Sequence, residues 1–145
     1  MKSLIAAALC ALGCAALPVH AADAFAKPKE AVEYREGAFN IMSVHMKRLA
    51  AMAKGDAPYD AARAESSAQL IATLSTLPWE AFIPGTVGDL KSDPIRNADN
   101  FRQLADKFEQ AAKQLPASAG SIGTLRGQLN TVGAACKSCH ESYRK

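Results

Sequence analysis

Apolar residues recur at intervals of three and four along most of the chain, which is the spacing of an α-helix with one buried face. Alanine is abundant and β-branched residues are few, so β-strands have little support. The pattern predicts four helices, over residues 28–52, 58–76, 98–115 and 121–143. Pro28 suits the first turn of the first helix, where a proline leaves no hydrogen bond unmade, and Asp56 is a candidate cap for the second.

Three of these helices carry a continuous apolar stripe. The stripe is Val32, Arg35, Phe39, Met42, Met46 and Leu49 on the first helix, Phe101, Leu104, Phe108, Ala111 and Leu115 on the third, and Ile122, Leu125, Leu129, Val132, Cys136, Cys139 and Tyr143 on the fourth. Such stripes pack antiparallel neighbours at shallow angles. We therefore expect an all-α fold, an antiparallel up-down-up-down four-helix bundle.

Residues 77–97, between the second and third helices, contain several prolines and glycines and are predicted to form a long loop. A loop of about 20 residues is unusual in a compact domain and is often functional. The pattern assigns no helix within it.

The N-terminus resembles a secretory signal sequence. Lys2 supplies a positive charge, the apolar stretch 4–17 is too short to span a bilayer, and Ala21 is a small residue at a cleavage site. Cleavage there would leave residues 22–145 as one domain of about 124 residues. A lipoprotein signal ending at Cys14 is the alternative. The rest of the sequence has no apolar run long enough for a transmembrane helix.

Charge and cysteine content exclude two classes of protein. The formal net charge is +3, from 17 Lys and Arg against 14 Asp and Glu, and no long basic run occurs, so nucleic-acid binding has no support. Cys10 and Cys14 would leave with the signal, so the exported chain would keep Cys136 and Cys139. Two cysteines separated by two residues cannot staple a fold, which excludes a disulfide scaffold.

The segment Cys136-Lys137-Ser138-Cys139-His140 has the spacing of a c-type haem attachment site. Positions 136 and 139 of a helix lie one turn apart on the same face, so two thiols there can add to the two vinyl groups at one porphyrin edge. His140 can then bind the iron. Export agrees with this, because c-type haem is attached outside the cytoplasm. Since both cysteines lie on the apolar stripe, we expect one haem c per chain, inside the bundle.

Two other uses of a cysteine pair fit less well. A thioredoxin-like pair follows a β-strand within a βαβ unit, and no such pattern occurs here. A structural zinc site needs four ligands, and this end of the chain offers three.

Only five residues follow His140, so a sixth iron ligand would have to come from elsewhere, and the first helix is the best candidate. Phe39 has no donor atom and would leave the sixth position empty and sterically guarded. Met42 and Met46 are able to bind iron, but methionine is also a common core residue. Arg35 is a charge within an apolar stripe, and it would pair with a haem propionate or extend to the surface as a solvated side chain.

With these residues in view, the chain resembles the cytochromes c′, a family of high-spin four-helix-bundle cytochromes. The resemblance covers essentially the whole chain after the signal. It rests on Tyr34-Arg35-Glu36 with Phe39 and Met42, and on residues 54–62, 77–82, 132–133 and 136–145. It implies a periplasmic homodimer in which each chain holds a five-coordinate haem that binds NO and CO.

The resemblance implies roles for residues of the haem-attachment segment. Cys136 and Cys139 would form the thioethers, and His140 would be the proximal iron ligand. Arg144 corresponds to an arginine beside the proximal histidine, on the face where NO can displace that ligand.

It also implies roles for residues elsewhere. Arg35 corresponds to an arginine near a haem propionate, and Phe39 falls at the distal position. Glu36 stands where a glutamine is expected beside that arginine, so its haem contact departs from the family pattern. Trp79 would either cover a haem edge or close the core of the bundle.

The homodimer is expected to form through the first and second helices. The resemblance implies it, and the alanines of the second helix would let two helices approach closely. These alanines are Ala57, Ala61, Ala64 and Ala68.

Three functions are weighed against these residues. A gas-binding protein needs an open but crowded iron site, which Phe39 would provide. A low-spin electron carrier would use Met42, Met46 or His45 as a sixth ligand. An enzyme such as a peroxidase would need an acid–base residue near the iron, and the first helix offers only Arg35. We expect a gas-binding protein that is not an enzyme, with the electron carrier as the alternative.

Overall fold

The computed structural model describes residues 24–145, and the predicted signal sequence over residues 1–21 lies outside the described residues. The described part is helical and contains no strand. Its helices are α1 (Pro28–Lys54), α2 (Ala61–Leu74), α3 (Ala98–Lys113), α4 (Leu115–Ser118) and α5 (Ile122–Tyr143), with a single 3₁₀ turn at Pro78–Ala81. The predicted all-α bundle is confirmed.

The four long helices form a closed ring around the core. Helix α1 packs against α2 and α5, and α3 packs against α5 and α2, so helices that follow one another in the chain are neighbours in space. The core between them combines many alanines with larger side chains, and its largest fully buried aliphatic residues are Leu49, Ile71, Leu115, Leu125 and Val132. Small residues allow close helix approach, and the large ones fill the layers between them.

The ends of α1 follow from its sequence. Pro28 lies in the first turn, as predicted. The helix extends two residues beyond the predicted end, to Lys54, and then stops at Gly55. Gly55 has φ of 88°, a left-handed conformation that glycine adopts without the steric cost a Cβ would bring.

Asp56 does not cap α2, so that prediction is wrong. The cap is Asp60, whose side chain accepts a hydrogen bond from the Arg63 backbone N–H at 3.0 Å. Asp60 directly precedes the first helical residue, Ala61, whereas Asp56 still belongs to the turn that closes α1 and donates its N–H to the Ala51 carbonyl at 2.9 Å. A cap bond needs an acceptor within about three residues of the N–H that it serves.

Two of the four alanines that were expected to support a dimer, Ala64 and Ala68, do not lie on the outer surface of α2. Ala64 and Ala68 have no exposed surface and lie in the core of the same chain. They bring α1 and α2 together within one molecule. Large apolar side chains are exposed instead on the outer faces of these two helices, namely Ile41, Val44 and Leu70.

The predicted loop is interrupted by the 3₁₀ turn at Pro78–Ala81, and its first half packs against α1. Within residues 24–145, no helix is both long enough and apolar enough to cross a membrane.

Replacing Asp60 by alanine removes the cap bond to Arg63, and we expect the free energy of unfolding to fall by about 1 kcal/mol. Asp56→Ala is the matched control, and its effect should stay within about 0.5 kcal/mol. Urea unfolding of the wild type and both variants measures this, and an equal loss in the two variants would contradict the assignment of Asp60.

Candidate haem site

Helix α5 carries the three residues of the attachment signature on one side of the molecule. Cys136 and Cys139 are both half-buried and lie one turn apart, and Cys136 packs against the core. They continue the buried face formed by Leu129 and Val132 earlier in the helix. His140 is the next residue and its side chain is accessible to solvent. The arrangement expected from the spacing, with two thiols on one face of a helix, is therefore present.

The electrostatics of these groups favour the neutral forms. Burial raises the pKa of both thiols, and Cys139 raises the pKa of Cys136 further. Partial desolvation lowers the pKa of the His140 imidazole, and the nearby Arg144 guanidinium lowers it further. A neutral imidazole keeps the nitrogen lone pair that a metal ligand requires.

An open groove runs along this part of α5. It is lined by Gly133, Cys136, Lys137, His140, Glu141, Arg144 and Lys145. A Cβ at Gly133 would meet no atom within 4 Å, so there is room beside Cys136. Arg144 and His140 line the same groove, so the two residues lie close together, as we expected from the sequence.

Arg35 is nearly fully buried, with 7% of its surface exposed, which excludes the interpretation as a solvated surface arginine. One terminal nitrogen donates to the Ala81 carbonyl at 3.2 Å and to the Thr86 hydroxyl at 3.0 Å, and the other donates to the Thr86 carbonyl at 2.6 Å. The guanidinium carbon also lies 4.4 Å from the centre of the Phe82 ring. Arg35 thus holds the loop that follows the 3₁₀ turn onto α1.

These partners leave the charge of Arg35 without a counter-ion among the described residues. Burial lowers the pKa of the guanidinium, and Glu36 partly opposes this, but the Glu36 side chain is exposed and forms no ion pair in the described part of the chain. A guanidinium has five N–H donors, and the bonds to Ala81 and Thr86 use three of them. Two donors and a buried positive charge remain for an anionic group.

Trp79 lies at the centre of an aromatic cluster. Its ring is 5.8 to 6.4 Å from those of Phe39, Phe82, Phe101 and Phe108, which come from α1, the loop and α3. Its buried indole N–H has no hydrogen-bond acceptor within residues 24–145. Because a buried donor without a partner is costly, this N–H is a contact point for an acceptor from a bound group.

The other candidates on α1 differ in burial. Phe39 is half-buried and packs edge-on against Trp79, with ring centres 5.9 Å apart. Met42 is buried in the core, and Met46 is half-buried at its margin. His45 is half-buried, and its ring nitrogen lies 3.4 Å from a terminal nitrogen of Arg48. Burial lowers the pKa of His45, and the Arg48 charge lowers it further.

The sequence did not identify the partners of Arg35. Thr86 is buried, accepts from Arg35, and donates its hydroxyl hydrogen to the Ile83 carbonyl at 2.7 Å. Tyr34 donates to Glu80 at 2.8 Å and so ties α1 to the 3₁₀ turn one residue after Trp79. The available signals were weak, since a threonine after Pro84-Gly85 and a glutamate after Trp79 are ordinary loop residues.

Taken together, these residues fit a covalent haem c. Two thiols one turn apart suit the vinyl groups at a porphyrin edge, and a neutral imidazole follows them. Arg35 has a buried charge suited to a propionate, and Trp79 has an indole N–H that needs an acceptor. Among the described residues, no group of three or more His, Cys, Asp or Glu side chains is arranged to hold a metal ion directly.

Comparison with known proteins agrees with this fit. A family model described as Cytochrome C' matches residues 30–144. The chain is 43% identical over 124 residues to a cytochrome c′ from Alcaligenes xylosoxydans xylosoxydans, covering 83% of this chain and 98% of the relative. It is 39% identical over 127 residues to a cytochrome c′ from Rubrivivax gelatinosus, again covering 83% and 98%.

Solved structures give the same result. A variant of cytochrome c′ from Alcaligenes xylosoxidans complexed with nitric oxide superimposes with a TM-score of 0.78 at 43% identity, covering 83% of this chain and 99% of that one. Cytochrome c′ from Rubrivivax gelatinosus superimposes with a TM-score of 0.79 at 38% identity, with the same coverage.

Replacing Arg35 by methionine removes the donors that Arg35 gives to the Thr86 and Ala81 carbonyls and to the Thr86 hydroxyl, so we expect the free energy of unfolding of the haem-loaded protein to fall by about 2–4 kcal/mol. Arg102→Met is the matched control, because Arg102 is exposed and pairs only with Asp106 at 3.0 Å. Its effect should stay below about 1 kcal/mol. Urea unfolding followed by tryptophan fluorescence measures both, and a loss below 1 kcal/mol for Arg35→Met would contradict the anchoring role.

Proposed function

The chain belongs to the cytochrome c′ family, whose members bind haem c covalently through cysteines, and on that premise we propose that it is a periplasmic haem protein that binds NO and CO. In this proposal residues 1–21 are the export signal and residues 22–145 form the haem-binding domain. The observation that carries the gas-binding assignment is Phe39, a half-buried aromatic side chain with no donor atom on the stripe of α1. Solved structures of family members complexed with NO and with CO support it.

The residues of α5 hold the cofactor. Cys136 and Cys139 form the two thioethers, and the neutral His140 imidazole is the proximal ligand. A haem held by these residues would supply a five-coordinate, high-spin iron that can bind a diatomic gas. Arg144 lines the same groove as His140 and sets the charge on the proximal side.

The residues of α1 and the following loop surround the rest of the cofactor. Arg35 offers two N–H donors and a buried charge to a propionate, and Trp79 offers its indole N–H at the edge. Phe39 crowds the distal side, which admits small ligands and supplies no hydrogen bond to stabilise O₂. Glu36 is exposed and contributes charge near Arg35, in place of the haem contact expected of a glutamine.

The alternative is a low-spin electron carrier with a sixth ligand from α1. The burial of Met42 in the core, with 4% of its surface exposed, supports a packing role for that residue. Met46 is half-buried and is the stronger candidate for the alternative. A catalytic role has no support on this stripe, because Arg35 is engaged by the loop and no other acid–base side chain accompanies it.

A homodimer through α1 and α2 is part of the proposal. Ile41 and Val44 on α1 are 47% and 52% exposed, and Leu70 on α2 is 36% exposed. Large apolar side chains on the outer faces of two adjacent helices are suited to burial against a second copy.

The proposed function is tested by the mass and spectrum of protein produced with the haem-maturation factors. The intact mass should correspond to the chain without residues 1–21 or 1–22 plus one haem, and Cys136→Ala or Cys139→Ala should leave at most one thioether. The ferric spectrum should be high-spin and five-coordinate. A mass equal to the apoprotein would refute haem attachment, and a low-spin spectrum with a methionine-to-iron band would favour the electron carrier.

Phe39→Ala should raise the CO affinity of the ferrous protein by at least about tenfold, because ligand entry no longer has to displace a packed ring. The loss of stability should be below the about 3–5 kcal/mol typical of a fully buried phenylalanine, since Phe39 is half-buried. Phe25→Ala removes an aromatic side chain that packs against Tyr34 at a tilted angle, away from Trp79, and serves as the control. Equal CO affinities in wild type and Phe39→Ala would show that Phe39 is ordinary core.

Val44→Lys should weaken self-association at least about tenfold, because it places a charge within the apolar surface buried in the dimer. Thr131→Lys adds the same charge on the exposed face of α5 and should leave association unchanged. Sedimentation equilibrium of the haem-loaded proteins measures both, and a wild type that is monomeric at all concentrations would contradict the dimer.

A further inference from the structure

The last turn of α5, which contains His140, ends without a left-handed glycine. The final four carbonyls of any helix lack partners within the helix, and because the His140 carbonyl accepts the last helical bond, here they belong to residues 141–144. Many helices satisfy them with a glycine in the left-handed conformation. In this chain Arg144 follows instead, with φ of −97° and ψ of 133°, and its N–H reaches only the His140 carbonyl at 2.9 Å. The carbonyls nearer the end therefore need donors from another part of the chain.

Lys91, from the loop before α3, supplies two of these donors. Its backbone N–H donates to the Tyr143 carbonyl at 3.0 Å, and its side-chain ammonium donates to the Glu141 carbonyl at 2.8 Å. A positive charge at the carboxyl end of a helix is also favoured by the helix dipole. One residue, 50 positions away in sequence, thus binds the last turn of α5 through both its backbone and its side chain.

Tyr143 fixes the same turn to α3. Its hydroxyl donates to the Asn100 side-chain oxygen at 2.9 Å, and its ring packs edge-on against Phe101 with centres 5.1 Å apart. Tyr143 is buried, whereas the residues on the His140 side of this turn are exposed. Lys91 therefore binds the part of the turn, at Glu141, that does not pack against another helix.

We propose that Lys91 is a positioning residue that holds the last turn of α5, and with it the His140 imidazole, in place on the proximal side of the iron. The proposal rests on the proposed function, because it assumes that His140 is the iron ligand. Helix ends fray when their terminal carbonyls lose their partners. Without the bond from the Lys91 ammonium to Glu141, the turn that begins at His140 opens more often, and the imidazole is held less firmly on the iron.

The experiment compares haem-loaded wild type, Lys91→Met, Lys91→Arg and Lys107→Met. Lys91→Met removes the ammonium and keeps the backbone bond to Tyr143, while Lys91→Arg restores a cation. Lys107 lies on α3 at the surface and its side chain forms no hydrogen bond or ion pair within residues 24–145, so Lys107→Met is the matched loss of charge. Amide hydrogen exchange at Arg144 reports opening of the turn, and the iron–histidine stretching band of the ferrous protein reports how His140 is held.

We expect Lys91→Met to speed exchange of the Arg144 amide about fivefold, the effect of losing one hydrogen bond of ordinary net strength. We also expect its iron–histidine band to broaden and shift to lower frequency, with Lys91→Arg close to wild type and Lys107→Met unchanged. The proposal would be overturned if the Arg144 amide of Lys91→Met exchanged at the wild-type rate, or if it exchanged faster while the iron–histidine band stayed unaltered. An equal effect of Lys107→Met would also overturn it. A wild type with no iron–histidine band would refute the proposed function itself, which separates the two failures.

Discussion

The buried guanidinium of Arg35 is the constraint on which much of the site depends. A positive charge with 7% of its surface exposed has to find acceptors, and it finds them in the Ala81 carbonyl and in Thr86. This draws the first half of the long loop onto α1. Trp79 comes with the loop, and its ring then gathers phenylalanines from α1 and α3. The bonds of Arg35, together with the bond from Tyr34 to Glu80, thus hold the aromatic cluster around Trp79 against α1.

Arg35 also connects the packing of the loop to the proposed cofactor site. Arg35 uses part of its hydrogen-bonding capacity within the chain and keeps two donors for an anion. Trp79 has a buried N–H that lacks an acceptor among the described residues. Arg35 lies on α1, and Trp79 lies in the loop that Arg35 holds against α1. In the proposed site, the polar edge of the haem would therefore contact residues that the fold has already positioned.

At the other side of the site, α5 combines two different requirements. Its middle must be apolar enough to pack Leu125, Leu129 and Val132 into the core, and its end must present two thiols and an imidazole. The helix meets both by continuing one face into half-buried positions at Cys136 and Cys139. The last carbonyls of α5 have no donors within the helix. Lys91, from the loop, donates to the Glu141 carbonyl, and Tyr143 fixes the turn to α3 through Asn100.

The sequence by itself determined the four long helices and the haem-attachment cysteines of α5, because helical periodicity and the spacing of Cys136 and Cys139 are local properties of the chain, while the iron-ligand role of His140 stays a prediction. It also identified Arg35 as an anomaly, but not its partners. Local pattern was insufficient for the cap of α2, where Asp56 and Asp60 are equally suitable residues and only the path of the turn selects Asp60. The tertiary structure alone decided the contacts of Thr86 and Lys91, since each joins residues about 50 positions apart through a loop without periodicity. Such contacts depend on where the packed helices place the loop, and no signal within the loop itself encodes that position.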